Sequence, residues 1–145
     1  MTATIHASAV LVGAWAVLVR GPAGSGKSRL TLALLDCARA GAIPFARLVA
    51  DDRVYLEAVH GRLLARAPDG LAGLIEVRGL GLRRLQWEAV ARVGLVVDLA
   101  AADDERLPPP AQLVTIEGVA IPRLAVASGA DPLPRVVAAL TSGAA

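Results

Sequence analysis

The chain has 145 residues, a formal net charge of +2 at pH 7, and a composition that is 55% hydrophobic but only 3% aromatic. Its longest apolar run, residues 9–19, is shorter than the roughly 20 residues that a membrane-spanning helix needs. Its arginines are scattered along the chain rather than clustered in a stripe, so we expect neither a membrane partner nor a nucleic-acid partner.

The same composition indicates how the chain is built. A core of Val, Leu, Ile and Ala suits buried parallel strands with helices laid over them, and the length suits one domain, residues 1–145. Strands are expected at residues 8–12, 15–20, 47–50, 54–58, 62–67, 94–99, 112–116 and 119–126. Helices are expected at residues 28–40, 84–92 and 132–141. These elements predict an α/β fold, with a sheet that carries a phosphate loop and has flanking helices.

The phosphate loop is the clearest motif, because residues 21–28 match the pattern G-x-x-x-x-G-K-[ST] in full. The loop lies between a predicted strand and a predicted helix, where backbone N–H groups surround phosphate oxygens. Lys27, the only lysine in the chain, is expected to neutralise the β- and γ-phosphates of a bound nucleotide. Ser28 is expected to offer its hydroxyl to Mg²⁺. The residues expected to bind the nucleotide are Gly21, Pro22, Ala23, Gly24, Ser25, Gly26, Lys27 and Ser28.

Charged residues elsewhere in the chain are candidates for the chemistry. Asp51 and Asp52 follow a predicted strand, at the edge of an open α/β sheet where ligands bind. They could hold a metal-bound water and act as a general base, or they could simply be solvated acids in a turn. Glu76 and Arg78 lie in a glycine-rich apolar segment and share a face if that segment is extended. A phosphate–magnesium centre could partner both charges, as could a plain ion pair between them.

Taken together, these residues resemble the catalytic C-terminal domain of bacterial HPr kinase/phosphorylase. His6 precedes Gly21 by 15 positions (6 to 21), as the family's catalytic histidine precedes its loop. Four segments are similar to family signatures: 48–53 (LVADDR), 74–81 (LIEVRGLG), 105–107 (ERL) and 121–122 (IP). The likeness extends from His6 to about Val126.

The resemblance implies a role for each matching residue. Asp52 would take the proton from the target serine hydroxyl, while Lys27 would hold the phosphates. Ser28 and Glu76 would bind Mg²⁺, and Asp51 is a further candidate ligand. The residues implied to assist the transfer are His6, Arg78 and Arg106.

The resemblance also implies a fold, a substrate and an assembly. The fold would be similar to that of HPr kinase and of phosphoenolpyruvate carboxykinase. The cofactors would be ATP and Mg²⁺, and the substrate would be a seryl residue of HPr, the small phosphocarrier of the phosphotransferase system. Family members are commonly hexameric, so a homo-oligomer is expected.

The chain departs from the family's pattern in three places. The family's separate N-terminal domain is absent from the sequence, and residues 39–45 add length between the loop and the acidic pair. After the last predicted strand, residues 127–130 read Ala-Ser-Gly-Ala where the family has V-[RK]-P-G-R-N. Because that stretch is linked to the phosphate-driven reverse reaction, we expect weak or absent phosphorylase activity.

Two other functions stay open on the sequence. An ATP-binding regulatory sensor without turnover would use the same loop and would tolerate the altered C-terminal stretch. A small-molecule kinase would need a mobile lid carrying arginines, and residues 101–111 are short for that purpose.

Overall fold

The computed structural model describes residues 3–104 and 112–143, and it arranges them as a large mixed sheet, a small two-stranded sheet and two helices. The strands are β1 (Ala7–Val12), β2 (Trp15–Arg20), β3 (Ala46–Ala50), β4 (Tyr55–Val59), β5 (Arg62–Arg66), β6 (Leu74–Val77), β7 (Gly81–Arg84), β8 (Ala91–Leu99), β9 (Leu113–Ile116) and β10 (Val119–Val126). The helices are α1 (Lys27–Arg39) and α2 (Leu133–Thr141). Neither described helix has the length and apolar character needed to cross a bilayer.

The main sheet runs in the order β3-β1-β2-β8-β10-β9. Strand β8 is parallel to both β2 and β10, whereas β1 pairs with β2 and β3 in antiparallel fashion. The β4–β5 hairpin joins the sheet through β5, which pairs with the beginning of β8. The phosphate loop follows β2, so it lies at the carboxyl edge of the parallel strands, where ligands bind in open α/β sheets.

The core lies on both faces of this sheet, and the alternation of side chains along β2 divides it. Val17 and Val19 face α1 and α2, where they pack with Leu34 and Val136. Leu18 faces the other side, toward the β4–β5 hairpin. Each such buried aliphatic side chain contributes about 1.5–3 kcal/mol of transfer free energy. The apolar composition therefore holds the loop-bearing strand between two packed layers.

The predicted α/β class is confirmed, since a central sheet carries a small number of helices. The expectation of parallel strands under helices holds only in part, because most strand pairs are antiparallel and a hairpin covers one face. The helix predicted at residues 84–92 is wrong. There the Leu85 N–H donates to Gly73 O and the Glu88 N–H to Leu48 O, so neighbouring segments use backbone groups that a helix would pair internally.

A charged network ties together the ends of three strands next to the loop. Asp98 at the end of β8 accepts hydrogen bonds from Arg20 on β2, at 2.7 and 2.8 Å, and from Arg123 on β10. Arg123 also donates to Asp103 at 2.6 Å, which fastens the turn after β8. Burial alone would raise the pKa of Asp98, but the hydrogen bonds and charges of the two guanidinium groups hold that pKa below its ordinary value.

This lowered pKa predicts a pH-dependent contribution to stability. Replacing Asp98 by Asn should reduce the free energy of unfolding by about 2–3 kcal/mol at pH 7, because two guanidinium groups lose their charged acceptor. The stabilisation is fully present above the ordinary carboxyl pKa of about 3.9 and is lost as the pH falls through the lower folded-state value. The difference between wild type and Asp98→Asn in urea unfolding should therefore shrink below about pH 4.

Asp36→Asn is the matched control, since Asp36 pairs with Arg39 on the exposed face of α1. An exposed pair of this kind contributes about 0–1 kcal/mol. A loss at Asp98 no larger than that at Asp36, or one that is the same at pH 3 and pH 7, would contradict the stabilising role of the network.

Candidate functional site

The phosphate loop has the backbone conformation that its glycines permit. A Cβ atom at Gly21 would lie 2.5 Å from Ser25 Oγ and 3.1 Å from Leu99 Cβ, so any other residue here would force these side chains to shift. Gly26 precedes α1 with a φ of +103°, a left-handed conformation that side chains disfavour. Its carbonyl accepts the Leu30 N–H at 2.9 Å and so begins the helix. The loop thereby delivers the N-terminus of α1, with its unpaired N–H groups, to the edge of the sheet.

Lys27 is buried with partners that carry no charge. Its side chain is curled against the loop, with Nζ 2.9 Å from Gly21 O and 3.2 Å from Pro22 O, and the residue is only 7% exposed. Among the described residues, its hydrogen-bond partners are carbonyl oxygens and not a carboxylate. Ser25 Oγ, in the same loop, is buried and has no hydrogen-bond partner among the described residues. A loop that contains a buried cation and an unsatisfied hydroxyl is suited to receive an anion such as phosphate.

Asp51 joins the loop to the rest of the site. Its Oδ1 accepts hydrogen bonds from the hydroxyls of Ser8 at 2.9 Å and Ser28 at 2.7 Å. Its Oδ2 lies 3.4 Å from the backbone N of Glu76, and Ser8 Oγ in turn accepts the Asp52 N–H at 3.1 Å. We call these five residues the Asp51 junction. It brings together β1, the start of α1, the end of β3 and β6.

Ser8 is a member of this junction that was not predicted. It is fully buried within β1, and its neighbours Ala7 and Ala9 are fully buried alanines. A buried hydroxyl needs a hydrogen-bond partner, so a lone serine in an otherwise apolar strand is a signal that could have marked it. The sequence does not show which distant residue supplies that partner.

Asp52 presents its carboxylate to solvent from a strained turn. Its φ of +66° is left-handed, and its side chain is 65% exposed. Such backbone conformations cost of order 1–3 kcal/mol and are concentrated at functional sites. His6 Nδ1 lies 3.9 Å from Asp52 Oδ1, which is longer than a hydrogen bond but close enough for electrostatic contact.

The β6–β7 hairpin brings the remaining predicted residues to the loop. Gly79 in its turn and Gly81 at the start of β7 have φ values of +82° and +97°, and Val77 O accepts the Leu80 N–H at 2.9 Å. Arg78 lies in this turn and not in the strand, so the extended conformation that would put Glu76 and Arg78 on one face ends at Val77.

A cavity of about 550 Å³ lies between the hairpin and the loop, and we call it the acceptor cavity. Its lining residues are Ala23, Gly24, Gly26, Lys27, Ser28, Arg29, Leu32, Asp52, Glu76, Val77 and Arg78. Asp52 and Glu76 thus face the same space as the buried lysine. Asp51 accepts a hydrogen bond from the lining residue Ser28, and His6 lies 3.9 Å from the lining residue Asp52. Arg106 falls outside the described residues.

The donor set of the site is suited to a hard cation. The predicted metal ligands Ser28, Asp51 and Glu76 offer only oxygen atoms, which is what Mg²⁺ prefers. Ser28 Oγ and Asp51 Oδ1 are already 2.7 Å apart. Within residues 3–104 and 112–143, no group of three His, Cys, Asp or Glu side chains is close enough to bind a metal unaided. A site here would therefore combine a hydroxyl, carboxylates and phosphate oxygens.

Comparison with known proteins finds similarity along almost the whole chain. A family model described as the HPr Serine kinase C-terminal domain matches residues 1–133. HPr kinase/phosphorylase from Clostridium beijerinckii is 36% identical over 78 residues, which are 54% of this chain and 24% of that protein. The protein of the same name from Halalkalibacterium halodurans is 31% identical over 137 residues, covering 86% of this chain and 42% of that protein. The chain therefore matches less than half the length of these curated relatives.

A solved structure extends the similarity to three dimensions. The Hpr(Ser) kinase/phosphatase from Coxiella burnetii superimposes with a TM-score of 0.75 at 26% sequence identity. The match covers 94% of this chain and 92% of that one.

Proposed function

Because this chain belongs to the HPr serine kinase C-terminal domain family, we propose that it is an ATP- and Mg²⁺-dependent protein serine kinase. Its substrate would be an HPr-type phosphocarrier protein of the phosphotransferase system. The observation that carries the proposal is the acceptor cavity, in which a buried lysine and the phosphate loop face Asp52, Glu76 and Arg78. A cytoplasmic location and a hexameric assembly are inferred from the family alone.

The loop and Lys27 would bind the phosphates and neutralise their charge. Phosphoryl transfer needs little covalent help from a protein, so catalysis is mainly positioning and charge neutralisation. Backbone N–H groups at the start of α1 would hold the phosphates, and Lys27 Nζ would exchange its carbonyl partners for phosphate oxygens. Arg78 reaches the cavity from the hairpin turn and would neutralise charge on the transferring group.

Asp52 would act as the general base. The serine hydroxyl of the target attacks the γ-phosphorus as its proton passes to an Asp52 carboxylate oxygen, and the β-phosphate leaves with the bonding electrons. The exposure of Asp52 supports a protein substrate, since a serine on a folded partner can reach the carboxylate without entering a closed pocket. His6, 3.9 Å from Asp52, would orient that carboxylate, and Arg106 would assist as the family resemblance implies.

Ser28, Asp51 and Glu76 would hold Mg²⁺. Asp51 already orients the Ser28 hydroxyl, and the Asp51 junction holds the Glu76 backbone beside the same carboxylate. The ion would neutralise charge on the phosphate oxygens when it is bound. Asp51, which contacts both Ser28 and the Glu76 backbone, would fix the distance between the loop and the hairpin.

The reverse reaction is proposed to be weak. In related proteins, a basic stretch after the last strand is linked to phosphate-driven removal of the phosphoryl group. Here residues 127–130 are uncharged, so an attacking inorganic phosphate would meet less positive charge.

The first prediction concerns the proposed general base. Asp52→Asn should slow transfer from labelled ATP to serine of the organism's HPr-type protein by about 10²–10⁴-fold, because the carboxylate acceptor for the proton is lost. Its affinity for ATP, measured by calorimetry, should stay close to that of wild type. Lys27→Met is the companion variant and should lose ATP binding itself. Undiminished transfer by Asp52→Asn would refute the assignment, whereas tight ATP binding with no transfer by wild type would favour a sensor.

The second prediction tests the metal ligands by a readout other than activity. Glu76→Gln should weaken the binding of Mn²⁺ in the presence of ATP by about tenfold or more, as measured by electron paramagnetic resonance. Glu57→Gln, an exposed residue of the same type on β4, is the control and should bind Mn²⁺ like wild type. Equal affinities in the two variants would remove Glu76 from the metal site.

The third prediction concerns the relative rates of forward phosphoryl transfer and of its reversal by inorganic phosphate. With inorganic phosphate and seryl-phosphorylated HPr-type protein, dephosphorylation should be at least about tenfold slower than forward transfer by the same preparation, a barrier difference of about 1.4 kcal/mol. The double variant Ala127→Arg, Ala130→Arg returns positive charge to the turn and should accelerate the reverse reaction. Fast phosphate-driven removal by the unmodified chain would show this part of the proposal to be wrong.

A further inference from the structure

Ser8 contacts both acids at the end of β3 through a single hydroxyl. Val10 and Val12 lie on the same face of β1 and belong to the apolar cluster that packs against α1, so Ser8 continues their row. Its hydroxyl donates to Asp51 Oδ1 at 2.9 Å and accepts the Asp52 N–H at 3.1 Å. A hydroxyl can donate and accept at the same time, whereas a further apolar residue in the row could do neither.

An irregularity in the sheet brings Ser8 to the acids. The antiparallel pairing of β1 with β3 shifts by one residue just beyond Val10, so that Ala9 faces Ala50. Continued by one position, this register sets Ser8 opposite Asp51, whereas without the shift Ser8 would face Ala50. Bulges of this kind are concentrated near active sites, where they redirect side chains.

Asp52 lies in a break in the same ladder. The pairing resumes at Ile5 and Val54, whose N–H groups donate to each other's carbonyls at 3.0 and 3.1 Å. Within the break, the Arg53 N–H donates to Asp51 O at 2.8 Å, around an Asp52 φ of +66°. A three-residue turn with a positive φ at its centre is the rarer and more strained form of the γ-turn. Such a turn persists only where surrounding contacts hold it.

We propose that Ser8 is a positioning residue for phosphoryl transfer, an inference that rests on the proposed kinase function. Its hydroxyl gives the Asp52 N–H an acceptor within the broken ladder, and so holds the strained turn that presents the carboxylate to the acceptor cavity. The same hydroxyl orients Asp51, which accepts a hydrogen bond from Ser28. Because Ser8 is fully buried, it acts through these acids and not on the substrates themselves.

The test compares Ser8→Thr with Ser8→Val, two side chains of the same shape of which only threonine has the hydroxyl. At saturating substrates, Ser8→Val should transfer phosphate to the HPr-type protein about 10- to 100-fold more slowly than Ser8→Thr, because the carboxylate is no longer held in place. The KM for ATP should stay close to that of Ser8→Thr, since the phosphate loop is unchanged. Ser8→Ala, which adds no volume, gives the same comparison against wild type if the additional methyl group prevents folding.

Thr31→Val is the matched control for the loss of a buried hydroxyl. Thr31 Oγ1 donates to Lys27 O at 3.1 Å within α1 and takes no part in the hydrogen bonds of the Asp51 junction. The valine variant should lose stability in urea unfolding, but its rate of transfer should stay close to that of wild type. Equal slowing in Thr31→Val and Ser8→Val would indicate general destabilisation and overturn the positioning role.

A double variant tests whether Ser8 acts through Asp52. In an Asp52→Asn background, the replacement of Thr by Val at position 8 should lose most of its effect on the residual rate, because the carboxylate that the hydroxyl positions is already absent. The same fold-change in both backgrounds would show that Ser8 acts independently of Asp52, contrary to the inference.

Amide exchange separates this inference from the function on which it rests. By nuclear magnetic resonance, the Asp52 N–H should exchange with solvent about tenfold faster or more in Ser8→Val than in Ser8→Thr, a readout that needs no substrate. Equal exchange would overturn the inference at its geometric basis. Faster exchange with equal transfer rates would also overturn it and would leave the kinase proposal intact. Absence of transfer by wild type would overturn both.

Discussion

One carboxylate, that of Asp51, determines where the parts of the site lie relative to one another. It accepts hydroxyl hydrogens from Ser8 and Ser28 on one oxygen and approaches the Glu76 N–H with the other. An ionised carboxylate is an acceptor with several lone pairs, so it can hold donors from separate elements at once. Ser8 also accepts the Asp52 N–H, which helps to hold the left-handed turn at that residue. The position of the acids relative to the loop thus follows from this single group.

Some charged side chains at the sheet edge are paired with opposite charges, and others have only uncharged hydrogen-bond partners. Asp98, at the end of β8, is neutralised by Arg20 and Arg123 and is fixed in a structural role. Asp51, at the end of β3, has only neutral hydroxyl and amide donors among its described hydrogen bonds, and Lys27 has only carbonyl acceptors. Uncompensated charges of both signs are therefore gathered around the loop. That arrangement suits a metal–polyphosphate, which brings a cation to the acids and an anion to the lysine.

Local patterns predicted much of this fold, and long-range pairing determined what they missed. The apolar strands around Gly13 and the two strands predicted at residues 54–58 and 62–67 lie close to their observed bounds. Residues 84–92 read as helical, but a bridge to Leu48 across the fold overrode that periodicity. The loop, Asp52, Glu76 and Arg78 could be found by motif and family signature. The partner of Ser8 and the pairing of Arg20 with Asp98 could not, because each depends on the register of strands distant in sequence.

The hydrogen bonds that position the acidic residues are separate along the chain from the turn after β10. Every member of the Asp51 junction lies before residue 77, and none of its hydrogen bonds involves the turn after β10. That turn contributes instead to a separate cavity on the far side of the loop. A change in residues 127–130 therefore alters the lining of that cavity without removing a hydrogen bond of the Asp51 junction. The departure from the family's basic stretch therefore lies outside the hydrogen bonds that position the backbones of Asp52 and Glu76.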